Sequence, residues 1–176
     1  KGFFLHPGVY PIQTDMRLLD LVRVSGGMQV GVDKRYSILA RRSETGKLEL
    51  MHLRLESALK DPLGDHNPII LANDRVYVFD AHMDRAQMLR SELEQLKKEA
   101  RYGEPVPVVQ ISGKAVKPGT YPLTPGMRAQ DLLEAAGGLL EDAYGQTASL
   151  SRRTQLINEQ NRQDHFEINL FGERPM

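Results

Sequence analysis

Two segments of the chain place apolar or small residues along one helix face and then end at a double glycine. These residues recur at i, i+3, i+4 and i+7, which is the spacing of an amphipathic helix. The positions are Leu18, Leu21, Val22 and Ser25 in the first segment and Ala129, Leu132, Leu133 and Ala136 in the second. A glycine of Gly26-Gly27 or Gly137-Gly138 can adopt the left-handed conformation that ends a helix. We therefore predict two short helices, with Thr14 and Thr124 as their N-caps.

Strand-like runs separated by turn signals surround the predicted helices. A Pro-Gly pair, at 7–8 and again at 118–119, favours a type II turn because proline presets φ and glycine accepts the positive φ that follows. The predicted strands are Val106–Val116, Tyr121–Leu123, Tyr36–Arg42, Leu48–Met51, Ile69–Leu71 and Val76–Phe79, and a short helix is predicted over Leu53–Leu59. The polar stretch from Thr154 to His165 is predicted to be a long connection.

A shift of 111 residues aligns the first part of the chain with the last. Residues 2–42 then match residues 113–153 without a gap, with 14 identities in 41 positions. Average composition would give roughly 2–3 identities by chance. The identities fall on turn residues and on apolar positions, which a fold constrains. We infer two copies of one module.

Each copy predicts an α+β module in which strands curve round one helix. We place the first module at 1–82 and the second at 103–176, with a linker helix over 83–102. The first copy lacks the strand-like run that precedes Gly113, and the second lacks a counterpart of Val76–Phe79. We therefore expect each module to be truncated at one end, the first without its first strand and the second without its last strands.

The linker carries a heptad seam, because its apolar positions are separated by 3, 4, 3 and 4 residues. The seam consists of Ala86, Leu89, Leu93, Leu96 and Ala100. Gly103 and Pro105 are predicted to end the helix. The seam either packs on one module, or sets the distance between the modules or pairs with another subunit.

Both copies resemble the soluble-ligand-binding β-grasp (SLBB) family, which is found repeated in bacterial outer-membrane polysaccharide export proteins. The segment 109–123 is similar to the family's opening hairpin, 126–139 to its central helix and 143–153 to its next strand, while 73–78 resembles its closing turn and strand. The resemblance implies two β-grasp (ubiquitin-like) modules. In tandem arrays it implies a periplasmic position in capsule or exopolysaccharide export. SLBB modules also occur in a respiratory-complex subunit and in cobalamin-binding proteins.

Charge and composition exclude several functions. The 23 basic and 23 acidic side chains give no formal net charge, which argues against binding of duplex nucleic acid. The lack of cysteine removes disulfides, thiolate catalysis and iron–sulfur ligation by this chain. No apolar stretch approaches the roughly 18 residues of a membrane span. Because no metal-ligand spacing, phosphate loop or nucleophile motif is present, we predict no enzyme, no catalytic residue, no metal and no cofactor.

The repeated arginine pairs, Arg41-Arg42 and Arg152-Arg153, are the candidate ligand-binding residues. A guanidinium group can hold the carboxylate of an acidic sugar in a bidentate fork. Tyr10 and Tyr121 could stack on sugar rings. The alternatives are ion pairs with acidic residues at an exposed strand end for the arginines, and packing against the preceding turn for the tyrosines.

Two functions follow from the residues and the resemblance. The first is a non-catalytic periplasmic module of a polysaccharide export assembly, associated with the outer membrane in a longer protein. Its partners would be polysaccharide, other subunits of the complex, or a second copy through strand edges or the linker helix. The second is a domain that binds a small soluble ligand, such as an oligosaccharide or a cobalamin-like molecule.

Overall fold

The first module packs two short helices against a three-stranded antiparallel sheet. A computed structural model describes residues 2–101, 104–143, 147–155 and 161–169, and within these ranges all side chains except those of 153–155, 161–163 and 169. The elements are α1 (Leu18–Val24), β1 (Val32–Arg42), β2 (Leu48–Leu53), α2 (Leu55–Lys60) and β3 (Arg75–Asp80). The strand order is β2-β1-β3. Leu39 of β1 lies opposite Met51 on one side and Val76 on the other.

The second module consists of two hairpins around a helix. Its elements are β4 (Val108–Ile111), β5 (Gly119–Pro122), α5 (Ala129–Ala135), β6 (Thr147–Gln155) and β7 (Asn161–Asn169). Strands β4 and β5 pair antiparallel, as do β6 and β7. The mixed α+β architecture predicted from the sequence is confirmed in both modules.

The same backbone hydrogen bonds recur in the two copies at positions 111 residues apart. The bonds are His6 N to Ser25 O at 3.0 Å and Lys117 N to Ala136 O at 2.9 Å, and Gly27 N to Val22 O at 2.9 Å and Gly138 N to Leu133 O at 2.8 Å. Both double glycines have positive φ, as the end of each helix requires. The aligned segments therefore fold alike, as the repeat predicts.

Two local predictions are wrong, each because backbone groups find other partners. Ile69–Leu71 forms no strand; Ile69 makes only an isolated bridge with Arg17, because this segment bonds to the loop before α1. The region predicted as a connection from Thr154 to His165 contains the ends of a hairpin, since polar residues suffice for a two-stranded ribbon that faces solvent.

The helix caps also differ from the prediction. Helix α1 begins after Arg17 and α5 after Arg128, so neither Thr14 nor Thr124 is an N-cap. The Arg17 N–H donates to Asp20 Oδ2 at 3.0 Å, and the Arg128 N–H to Asp131 Oδ2 at 2.7 Å. The aspartate at the third helical position therefore satisfies the backbone at each helix start.

The linker is not one free-standing helix. It forms α3 (Arg85–Met88) and α4 (Arg90–Glu99), which meet at Leu89. The seam residues Leu89, Leu93 and Leu96 are buried in a core shared with the first module's sheet and with the second module. The seam therefore packs inside the chain, but against both modules and not on one alone, and these leucines are not exposed for another subunit.

The first module's sheet is buried on both faces. Its strands alternate between two apolar cores, as the two-residue period of a strand requires. One face contributes Leu39, Leu53, Val76 and Val78 to a core with α1. The other contributes Tyr36, Ile38, Ala40, Leu48, Leu50, Tyr77 and Phe79 to the core with the linker and the second module. The two modules therefore share a core through this sheet.

Candidate functional site

The two repeated tyrosines pack back on their own turns. The Tyr10 hydroxyl donates to the His6 carbonyl, and the Tyr121 hydroxyl donates to the Lys117 carbonyl at 2.8 Å. Tyr121 is buried (1% exposed), and its ring meets Tyr36 edge-on with 6.5 Å between centroids. This is the turn-packing arrangement that the sequence left open beside sugar stacking.

Arg41 is held by an acidic residue of its own module. Its Nε and Nη2 donate to Asp74 Oδ1 and Oδ2 at 3.0 and 2.6 Å, and Nη2 also donates to Ile69 O at 2.8 Å. The Asp74 side chain is 1% exposed. The hydrogen bonds with Asp74 raise the pKa of Arg41 further above its usual range. The bidentate face of the Arg41 guanidinium is therefore already bound to Asp74 within the module.

Arg42 lies at the surface with half of its side chain exposed. Its Nη1 donates to Gly46 O at 2.6 Å and to Glu99 Oε1 at 3.1 Å. Glu99 Oε2 accepts the Leu48 N–H at 2.7 Å, and this bond, with those from Gln95 and Arg42, lowers the pKa of Glu99. Arg42 thus joins the sheet to the end of α4.

The second arginine pair lies on the β6–β7 ribbon. Arg152 is exposed, and its cross-strand neighbour is Asp164. The backbone of Arg153 lies in β6 opposite Gln163, and its side chain lies outside the described part of the structure. Among the side chains that the structure describes, the arginines and the two tyrosines therefore do not form one site.

A buried arginine joins the two modules. Arg85 of α3 has a side chain with 0% exposure, and Nη2 donates to Asp33 Oδ2 at 2.6 Å. Its Nη1 donates to the carbonyls of Glu134 and Ala135 at 2.7 and 2.9 Å, at the C-terminus of α5, where a cation is favoured. The guanidinium also lies 5.3 Å from the centroid of the Tyr36 ring.

The charge of Asp33 is stabilised within this junction. Burial alone would raise the pKa of Asp33, but hydrogen bonds from the Arg35 amide and from Arg85 outweigh it, so the pKa is lowered. The Asp33 side chain is 7% exposed. The carboxylate therefore remains the ionised partner of a buried cation.

A second ionic contact crosses the same junction. Arg54, just before α2, contacts Asp131, and its Nε donates to Glu134 Oε2 at 3.1 Å. Asp131 thereby caps α5 and also binds the first module. Asp131 is accordingly buried and paired.

An apolar cavity opens beside the Pro-Gly turn of the first module. Its volume is about 320 Å³, and its lining includes Phe4, Tyr10, Ile12, Met16, Leu21 and Val76. Val9, at its rim, is fully exposed. This volume is at the lower limit of small-molecule sites.

Nothing in the sequence pattern singles out Arg85, Asp33 or Arg54. Repeated residues do not include them; Asp33, for example, aligns with Tyr144 in the second copy. For Arg85, the sequence offers one signal, its position directly before the apolar seam. Many solvated helices have a basic residue at such a position, so this signal does not indicate burial. Tertiary contacts over long sequence separations decide their roles.

These features define a tandem pair of α+β binding modules that share one core. The SLBB domain model matches residues 5–51 and 108–163. These matches cover more than half of the chain, so the chain belongs to the SLBB domain family, which is a family of binding domains, and carries two tandem copies. No curated protein matches the chain.

Within the residues that the structure describes, no helix is both long and apolar enough to cross a membrane. No group of three acidic or histidine side chains in the same part of the chain is placed to hold a metal ion.

Proposed function

We propose that the chain is a non-catalytic module of a bacterial polysaccharide export assembly, located in the periplasm, that acts through protein or glycan contacts. The observation that carries the proposal is the tandem SLBB match on two modules that share a core. A body in which Arg85 and a common core connect the modules presents two binding surfaces in a constant relative position.

The glycan contact is assigned to the exposed arginines, Arg42 and Arg152. Both have exposed side chains on strands, whereas the Arg41 fork is engaged by Asp74 and the Tyr121 ring is buried. Guanidinium groups bind sugar carboxylates bidentately. Arg153 follows Arg152 along β6 and belongs to the same proposal.

The protein contact is assigned to the exposed apolar rim of the first module's cavity. Val9, Ile12 and Leu71 are exposed there. Apolar residues grouped at a surface mark interaction sites more often than isolated ones do. This rim is the surface that we expect an assembly partner to cover.

The glycan contact is tested by retention on an immobilised acidic polysaccharide. Arg152→Ala and Arg42→Ala should reduce retention several-fold. Arg90→Ala, at an exposed arginine of α4, is the matched control and should be retained like the wild type. If Arg152→Ala has wild-type retention and wild-type Tm, Arg152 does not contact glycan.

The export role is tested in the cell of origin. We expect the chain in the periplasmic fraction, and we expect deletion of its gene to reduce exported polysaccharide. A Val9→Asp, Ile12→Asp variant should fail to restore export at normal protein level, because charges at an apolar rim oppose docking. Unchanged export in the deletion strain would reject the role.

Binding of a small soluble ligand is a second candidate, favoured by the cavity beside Tyr10. A volume of about 320 Å³ suits one sugar ring better than a cobalamin-sized molecule. Oligosaccharides should then raise Tm, and Leu21→Trp, which fills the cavity, should abolish the rise. No ligand-dependent rise, together with concentration-dependent association, would reject this candidate.

A further inference from the structure

A polar cleft lies at the junction of the two modules. Its volume is about 370 Å³, within the range of small-molecule sites. The start of β1, α2 and α3 contribute to its lining, and so does Gly137, which follows α5. The charged residues that line it are Asp33, Lys34, Arg35, Glu56 and Arg85. A ligand in this junction cleft would therefore contact both modules and the linker.

An irregularity in β1 builds one wall of the junction cleft. Residues 33–36 of β1 lie between two paired positions that only one residue separates on β3. A bulge of this kind bends the strand and re-aims its side chains, and bulges are common next to active sites. The bulged segment supplies Asp33, Lys34 and Arg35 to the cleft. Regular strand pairing is thus interrupted where charged residues line the cleft.

The buried guanidinium of Arg85 has one N–H group without a partner. Nη1 donates to two carbonyls and Nη2 to Asp33 Oδ2, but Nε has no acceptor among the described residues. Arg41 differs, because its Nε and Nη2 both donate to Asp74. Asp33 Oδ1 instead accepts the Arg35 N–H at 2.9 Å. Since a buried N–H without an acceptor is unfavourable, an oxygen that enters beside Asp33 would be bound there.

The junction cleft offers charges of both signs to a ligand. Among the described residues, the side chains of Lys34 and Glu56 have no hydrogen bond or ion pair. Lys34 is exposed and Glu56 is half-buried. The Arg35 side chain is 55% exposed and makes only a 3.4 Å contact with Asp33. Two cations are therefore free to bind an anionic group, and one carboxylate is free to accept hydroxyl groups.

The charge of Arg85 extends to a second cation near the cleft. Lys117 Nζ donates to the Met83 carbonyl. Burial lowers the pKa of Lys117, and the charge of Arg85 lowers it further, although nearby aspartates oppose both effects. The pairing with Asp33 therefore does not cancel the positive potential of Arg85. An anion in the junction cleft would relieve this repulsion.

We propose that the junction cleft binds a hexuronate unit, which is a sugar ring that carries one carboxylate. The carboxylate would bind Lys34 and Arg35, the ring hydroxyls would donate to Glu56, and a ligand oxygen would accept from Arg85 Nε. The Arg35 side chain would turn from Asp33 to the ligand, which opens the path to the buried Nε. The volume of about 370 Å³ accommodates one such ring.

Simpler ligands match fewer of these groups. A neutral sugar would leave the cations Lys34 and Arg35 without an anionic partner. A simple anion would bring no hydroxyl donors to the Glu56 carboxylate, which would repel it. The hexuronate is thus the ligand class that satisfies the cations and the carboxylate together.

The probe is sodium D-glucuronate, and the readout is the Nε–H signal of Arg85 in proton–nitrogen NMR spectra. At constant ionic strength, we expect a saturable shift of this signal at millimolar concentration. D-glucose, which lacks the carboxylate, and sodium acetate, which lacks the ring, should bind at least tenfold more weakly. Absence of a saturable shift with glucuronate would overturn the proposal, and so would equal affinity for glucose or acetate.

Lys34→Gln tests the location, because it removes the free cation from the junction cleft. Lys60→Gln is the matched control, since Lys60 is also exposed and lies outside the cleft. We expect at least fivefold weaker glucuronate binding for Lys34→Gln and wild-type binding for Lys60→Gln. Because both lysines are exposed, both variants should fold. Equal binding by the two variants would overturn the assignment to this cleft.

Glu56→Ala tests the contact with the ring hydroxyls. It should weaken glucuronate binding, whereas Glu44→Ala, at an exposed residue of the β1–β2 turn, should bind like the wild type. Wild-type or tighter binding by Glu56→Ala would show that this carboxylate accepts no ligand hydroxyl, and it would overturn the hexuronate assignment.

The junction cleft is separate from the glycan contacts proposed at Arg42 and Arg152, so the two ideas fail independently. Because the ligand contacts both modules, glucuronate should raise the Tm of the wild type, and should raise that of Lys34→Gln less. Retention on acidic polysaccharide without glucuronate binding would overturn the cleft site alone. Glucuronate binding without retention would support the cleft site and reject the surface contacts.

Discussion

Arg85 donates to Asp33 at 2.6 Å from a position that solvent does not reach. Asp33 lies at the start of β1, and the same guanidinium binds two carbonyls at the end of α5. One side chain of the linker therefore holds both modules. This contact explains how a tandem repeat becomes a single body.

Arg85→Met should strongly destabilise the protein. Removing one partner of a buried ion pair costs about 3–5 kcal/mol, because the remaining charge is left uncompensated. Urea unfolding should show this loss, and a second change, Asp33→Asn, should recover part of it. Arg90→Met removes a solvent-exposed pair with Glu94 and should change stability by less than about 1 kcal/mol. Equal losses at Arg85 and Arg90 would contradict the role of the buried pair.

The shared core predicts that the modules unfold together. Leu89 is fully buried in that core, so Leu89→Ala should cost about 2–5 kcal/mol. Calorimetry should show one unfolding transition for the wild type and one for Leu89→Ala, at a lower Tm in the variant. Leu59→Ala, at an exposed leucine of α2, should have a small effect. Two separate unfolding transitions, of which Leu89→Ala lowers the Tm of only one, would show that the modules unfold independently.

The hydroxyl hydrogen bonds of Tyr10 and Tyr121 predict that replacing each tyrosine by phenylalanine lowers the free energy of unfolding by different amounts. Tyr121→Phe leaves the Lys117 carbonyl without its buried donor and should cost about 1 kcal/mol. Tyr10→Phe should cost less, because its bond to His6 is exposed to water. Chemical denaturation of both variants measures the difference. A larger loss of unfolding free energy for Tyr10→Phe than for Tyr121→Phe would contradict the prediction.

His52 predicts a loss of stability in mild acid. Burial, together with the charge of Arg54, lowers the pKa of His52 although a hydrogen bond to the Arg35 carbonyl opposes the shift. The folded protein therefore keeps His52 neutral to a lower pH than the unfolded chain does, and the unfolded chain takes up the proton first as the pH falls through about 6.5. The contribution of His52 is therefore complete above that pH and decreases as the pH falls towards the folded-state pKa.

His52→Gln isolates this effect, because glutamine keeps an N–H donor and does not titrate. The free energy of unfolding of the variant should vary less between pH 7 and pH 5, by at most about 1.4 kcal/mol per pH unit. Identical pH profiles for the variant and the wild type would show that His52 does not contribute. His82→Gln, at an exposed histidine, is the control for the loss of a surface imidazole.

Local patterns alone predicted the repeat, the two module helices and their glycine ends. Helix periodicity, Pro-Gly turns and αL glycines act within a few residues, so similar segments fold alike wherever they lie. The failures have two causes. Pro68 and Ile70, on either side of Ile69, bond to the distant segment at the start of α1, and an aspartate at the third helical position, Asp20 or Asp131, accepts from the backbone N–H at each helix start.

Only the tertiary structure decided how the two copies are joined. Strand β1 is apolar on both faces, and its sequence does not say that the linker and the second module cover one of them. Arg85 and Asp33 are 52 positions apart, and nothing local distinguishes them from solvated charges. Local sequence determined the modules because turns and helices depend on near neighbours. The junction depended on the whole fold. Arg85 and Asp33 must pair there because the folded chain buries both charges.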